Sequence, residues 1–139
     1  MRTAILVLLS LAGLQAAEVA RWSPDRSNGL SLAKGTWRIE AATLRLPPAP
    51  DYFSRAAITL QITPAPAPNR YLVLEFLDKG YGLITVSPGV AETHQWGPAR
   101  VNSGRLRRAV FHYAASHPAR ITIEGIDHLR SITLTTDQP

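Results

Sequence analysis

The sequence predicts an all-β fold: an antiparallel β-sandwich of about eight or nine short strands, preceded by a signal-peptide helix. Three observations carry that expectation. Apolar and polar residues alternate with period two through most of the chain, the pattern of half-buried strands. Clusters of proline, glycine and asparagine interrupt the alternation at regular spacing, as turns do. After the first residues, no stretch repeats apolar positions with a convincing helical period.

The elements follow in chain order. Arg2, the apolar run Ala4 to Leu14 and the small-residue zone Gln15-Ala16-Ala17 have the layout of a cleavable export signal. The apolar run is short for a membrane span, and no later stretch is long and apolar enough to be one. Residues 1–16 therefore read as a signal peptide and residues 17–139 as one domain, secreted or periplasmic, of bacterial type. Trp22 is expected to pin the N-terminus to a sheet.

Thr36 to Ala41 alternates, with Trp37, Ile39 and Ala41 on one face. The phase then slips at Ala41-Ala42, so that Leu44 and Leu46 take the apolar face. Such a slip predicts a bulge or a crossing between sheets. Leu46-Pro47-Pro48 ends the strand, because proline cannot donate to a ladder. Ile58, Leu60 and Ile62 alternate with polar residues, and the proline-rich stretch from Pro64 to Asn69 reads as a stiff loop within the domain.

Tyr71 to Leu77 is apolar on both faces except for Glu75, which predicts a central strand. Asp78-Lys79-Gly80 reads as a turn with Gly80 at positive φ. Gly82 to Ser87 then reads as the returning arm of a hairpin. Residues 89 to 99 read as a polar loop carrying His94, Gln95 and Trp96, followed by a short strand over Ala99 to Asn102. Arg107 to Ala114, Arg120 to Glu124 and Arg130 to Thr135 complete the strands. Ala109, Phe111, Ile121, Ile123, Ile132 and Leu134 are expected inside, and His112 outside.

Composition bounds the chemistry. Hydrophobic residues make up 45% of the chain and charged residues 18%, which is globular rather than disordered composition. Cysteine is absent, so there is no disulfide and no thiolate metal site. The formal charge is +5, of which Arg2 in the leader supplies one. Its densest basic run, Gly104-Arg105-Leu106-Arg107-Arg108, lacks the interleaved aromatics of a nucleic-acid platform. Arg105 and Arg107 are candidate contacts to an acidic glycan, and strand-edge arginines also discourage edge-to-edge association.

No catalytic pattern emerges. The four histidines have no metal-ligand spacing, and no Gly-x-Ser-x-Gly elbow occurs. Asp51, Asp78, Glu92 and Asp127 are too scattered to argue for calcium. No cofactor and no metal are expected. Glu75 stands among apolar neighbours and is expected to form an ion pair with Arg38 or an arginine of the 105–108 cluster. Sugar binding needs aromatic faces beside polar groups. The loop aromatics Trp96, Tyr81 and Tyr52 are the candidates, and Trp96 is the foremost.

The second half carries a resemblance. Tyr71 to Asp78, Gly80-Tyr81-Gly82, Gly104 to Phe111, Ile121 to Gly125 and Leu129 to Leu134 resemble segments of the jelly-roll accessory modules of bacterial secreted glycoside hydrolases. These modules belong to the galactose-binding-like group. The similarity covers roughly residues 70 to 136 and rests on strand and turn pattern. It implies a jelly-roll sandwich and a noncatalytic, carbohydrate-binding role with a polysaccharide or glycan partner. Two other readings stay open. One is a structural or protein-interaction domain of the envelope, and the other is a small hydrolase built around Glu75 or Asp127.

Overall fold

Every element is a strand in the computed structural model, which describes residues 17–33, 37–46, 57–65, 70–88, 95–112 and 120–139. In chain order they are β1 (Glu18–Ser23), β2 (Arg26–Asn28), β3 (Leu30–Leu32), β4 (Arg38–Glu40), β5 (Thr43–Arg45) and β6 (Ala57–Ile62). There follow β7 (Tyr71–Leu77), β8 (Tyr81–Pro88), β9 (Gln95–Val101), β10 (Leu106–His112), β11 (Arg120–Glu124) and β12 (His128–Thr135). The expected signal segment and Tyr52 lie outside the described residues, as do His94 and the prolines at 47, 48 and 50.

Two antiparallel sheets form. The first runs β10-β7-β12-β1-β2, with the β4–β5 pair attached to β12 through β5. The second runs β3-β6-β11-β8-β9. Leu72, Leu74 and Phe76 of β7, Ala109 and Phe111 of β10, and Ile132 and Leu134 of β12 are buried in the first sheet. Ile58, Leu60 and Ile62 of β6, Ile84 and Val86 of β8, and Ile121 and Ile123 of β11 are buried in the second. All join one core cluster. Each buried aliphatic contributes roughly 1.5–3 kcal/mol of transfer free energy, so the core holds the sandwich without any crosslink. The expected alternation of β6, β10, β11 and β12 is what the structure shows, and β7 is flanked by strands on both edges.

Four local expectations are corrected. First, β1, β2 and β3 precede the strands read from the sequence, which brings the described total to twelve. Ala20 and Trp22 do face the core from β1, but β2 and β3 have three residues each, too few to show a period.

Second, the phase slip at residues 41–42 is neither a bulge nor a crossing. Ala41 and Ala42 have φ of 48° and 58° and join β4 to β5 as a two-residue hairpin, with Glu40 opposite Thr43. Positive φ at both central residues matches the right-handed strand twist. Ile39 is consequently exposed rather than inside, while Trp37 is partly buried against the core.

Third, Tyr71–Leu77 and Tyr81–Pro88 are not a hairpin. β7 pairs with β10 and β12, and β8 pairs with β9 and β11. Residues 78–80 form a corner between the sheets, and Gly80 has the expected positive φ of 78°. The corner between β11 and β12 is similar. Gly125 has φ of 83°, and a Cβ there would run into the Leu83 carbonyl, so only glycine fits.

Fourth, Gln95 and Trp96 are not loop residues. They open β9, which extends the expected short strand towards the N-terminus.

Candidate functional site

The outer face of the second sheet carries the most exposed aromatic rings among the described residues. Ile84 and Val86 point into the core, so Tyr81, Leu83, Thr85 and Ser87 take the other face of β8. Strand β9 lies antiparallel to it, with Tyr81 opposite Val101, Leu83 opposite Ala99 and Thr85 opposite Trp96. Directly opposed residues share a face. Tyr81 is 73% exposed and Trp96 63%.

A bulge makes this arrangement. Between the Leu83–Ala99 and Thr85–Trp96 pairs, β8 has one residue, Ile84, and β9 has two, Gly97 and Pro98. The extra residue reverses the alternation, so Trp96 joins Ala99 and Val101 on the outside. Gly97 allows the bulge to lie against the core, because a Cβ there would come within 2.6 Å of the Phe111 ring.

Polar groups flank the rings. On β11, Glu124 stands opposite Thr85 and Thr122 opposite Ser87. Thr85 is buried, and its hydroxyl donates to Glu124 Oε2 at 3.4 Å. One cross-strand row therefore reads Glu124, Thr85, Trp96. An indole face with a carboxylate close by is the pairing that sugar C–H and O–H groups require. Tyr81 and Thr85 are four positions apart, so at a rise of roughly 3.3 Å per residue the rows that carry the two rings lie about 13 Å apart along the strands.

Two ionic networks hold the lower end of this face. Asp78 is fully buried at the corner between β7 and β8. Its Oδ1 accepts from the Val101 amide at 3.0 Å, and its Oδ2 accepts from Ser103 Oγ at 2.7 Å and Arg107 Nη1 at 3.1 Å. Burial pushes the Asp78 carboxyl upward, but the Ser103 hydroxyl, the Val101 amide, Arg107 and the Ser103 amide outweigh it. Together they hold the group at about 2.

Arg100 is the second anchor, with its side chain only 10% exposed. Nη1 donates to Asp127 Oδ2 and to the Lys79 carbonyl, each at 2.9 Å, and Nη2 donates to the Tyr81 carbonyl at 2.6 Å. These bonds fix the backbone that presents the Tyr81 ring.

The structure thus brings together two of the residues singled out from the sequence, Trp96 and Tyr81. The candidate arginines lie in and just before β10, a strand of the first sheet. Arg105 is exposed in the turn before β10, and its carbonyl accepts from the Asp78 amide at 2.9 Å. The Arg107 guanidinium donates to Asp78 Oδ2 at 3.1 Å and to the Ala99 carbonyl at 2.9 Å, which ties β10 to β9 beneath the aromatic face. β10 is an edge strand of its sheet, which fits the protective role of its arginines.

The ion pair expected at Glu75 does not form among the described residues. Glu75 accepts from Ser131 Oγ at 3.2 Å, while Arg108 stands opposite it in register. The buried carboxylate–arginine pair forms three residues later, at Asp78. Turn chemistry hid that role, because Asp before Lys-Gly reads first as a turn. No group of three or more histidines, aspartates or glutamates that could hold a metal occurs among the described residues.

The molecule is thus a two-sheet antiparallel β-sandwich with an aromatic face on its second sheet. Solved structures share that fold. A point mutant of the family 29 carbohydrate-binding module CBM29-2 matches with a TM-score of 0.54 and 14% identity, over 88% of this chain and 90% of that one. The family 29 module CBM29_1 from Piromyces equi matches with a TM-score of 0.52 and 14% identity, over 87% and 90%. Another structure of a family 29 carbohydrate-binding module gives 0.53 and 14%, over 88% and 87%. No family model and no curated protein match the chain. The fold these neighbours share agrees with the sandwich that residues 70 to 136 led us to expect, and it spans most of the chain.

Proposed function

We propose that this chain is a noncatalytic carbohydrate-binding module that holds a glycan chain along β8 and β9. The supporting observation is the pairing of exposed Trp96 and Tyr81 on one sheet face, with Glu124 and Thr122 beside them. Trp96 stacks on one pyranose and Tyr81 on another further along the same chain. Glu124 accepts from ring hydroxyls. Arg100, Asp78 and Arg107 keep the backbone of the face in position, and rigid support of this kind lowers the ordering cost of binding. The protein is secreted or periplasmic, delivered by the leader in residues 1–16, and its partner is a polysaccharide.

A second reading has one observation in its favour. Leu83 is exposed between the two aromatics and Val101 is exposed opposite Tyr81, and a continuous apolar strip also suits a protein surface.

A glycan array with the full chain, run beside Trp96→Ala, separates the readings. Saturable binding that the variant loses supports the carbohydrate module. A folded protein that binds no neutral or acidic glycan transfers the face to a protein partner.

A further inference from the structure

Strand β12 has neighbours along both edges, but on one edge they leave a gap. Residues Ile132 to Thr135 pair with β1, while His128 and Leu129 pair with β5. Arg130 and Ser131 have no strand partner on that edge among the described residues. Pairing with β7 on the other edge shifts register between Leu129 and Ser131, which marks a bulge. Where β1–β2 and β4–β5 part, a cavity of about 600 Å³ opens with Arg130 and Ser131 in its lining. That volume lies in the range of small-molecule sites, roughly 300–1,000 Å³.

Charge decides what the cavity can take. Arg21, Arg26 and Arg130 bring three guanidiniums to the lining, Glu18 and Asp25 bring two carboxylates, and Ile39 adds a half-exposed apolar wall. Arg21 already lies 3.7 Å from Glu18. Arg26 and Arg130 form no ion pair among the described residues. The Ser23 hydroxyl donates to Asp25 Oδ1 at 2.8 Å and holds that carboxyl below its ordinary range. Unpaired guanidiniums favour an anion and match the planar fork of a carboxylate. Two ionised carboxylates on the same walls oppose a dianion such as phosphate and offer acceptors for hydroxyl groups.

We propose that this cavity is a second ligand site, for a monocarboxylated sugar such as a hexuronate residue. Arg26 and Arg130 take its carboxylate, Asp25 and Glu18 accept from its hydroxyls, and Ile39 meets the C–H face of the ring. The site is on the first sheet, and its chemistry is independent of the Trp96 face on the second.

Titration calorimetry of the full chain with galacturonate, a neutral hexose and inorganic phosphate tests it. Galacturonate is expected to bind saturably, at least tenfold tighter than either of the others. Arg130→Gln is expected to lower that affinity tenfold or more. Arg130 is exposed, so the variant is expected to melt as the parent does. If it does not fold, Arg26→Gln carries the same expectation. No binding of galacturonate, equal affinity in the variant, or phosphate binding as tightly as the uronate overturns the proposal.

Discussion

A double-mutant cycle on Trp96 and Tyr81 probes the proposed glycan face more sharply than either substitution alone. An indole side chain offers on the order of 250 Å², so 63% exposure leaves roughly 150 Å² of Trp96 to be covered. A pyranose covers one ring face, about half of that. At about 25 cal/mol per Å², covering ~75 Å² is worth about 2 kcal/mol. Ordering of the ligand takes back part of this, so Trp96→Ala should weaken binding roughly ten- to thirtyfold. Tyr81, at 73% exposure, presents a smaller ring and should lose somewhat less when truncated. The rows that carry the rings lie about 13 Å apart along the strands, beyond the range at which substitutions usually couple, so the two losses should add to within about 0.5 kcal/mol. The cycle is measured by calorimetry with oligosaccharides of increasing length. Short ligands should respond to one substitution only, and longer ones to both. A long glycan indifferent to Tyr81→Ala, or a coupling above about 1 kcal/mol, would refute the two-ring arrangement.

Two further outcomes concern the scaffold. Replacing Ala41 by Asn and Ala42 by Gly should raise the urea midpoint without altering the slope, by about 1 kcal/mol of stability. Left-handed φ costs an alanine roughly 1–2 kcal/mol, and the greater freedom of glycine in the unfolded chain offsets only part of the relief; a lowered midpoint contradicts the turn. Asp78 should make stability depend on acid. Its folded carboxyl sits at about 2, below the ordinary 3.8, so its contribution is complete above pH ~4 and is lost as pH falls through about 2. Asp78→Asn should be less stable at neutral pH, and the gap to the parent should narrow below pH ~4 in pH-dependent melts. A gap of constant size across that range removes the ionised carboxylate from the account.

Much of the fold was legible because β-strands declare themselves by alternation. The pattern in β6, β10, β11 and β12 needs only local information, and so does the turn glycine at residue 80. Pairing is different. A strand, a tight turn and a second strand look alike whether the chain folds back within one sheet or crosses to the other. Residues 71–88 read as a hairpin for that reason, and hydrogen bonds to β10, β11 and β12 decided otherwise. The slip at Ala41-Ala42 has the same origin, since a two-residue turn and a bulge both shift the phase by one face.

The candidate site divides along the same line. The sequence by itself determined an all-β chain without cysteine chemistry, and it marked Trp96, Tyr81 and Tyr52 as loop aromatics, of which the structure places Trp96 and Tyr81 in strands. Parity along β9 sets Trp96 apart from Ala99 and Val101, and only the bulge at Gly97-Pro98 turns all three to one face. The tertiary structure alone engaged the Arg107 guanidinium with Asp78 and gave Arg100 its grip on the Tyr81 backbone. It alone opened the cavity beside Arg130. Alternation is a property of neighbouring residues, whereas register, bulge effects and ion pairing depend on which distant strand lies alongside.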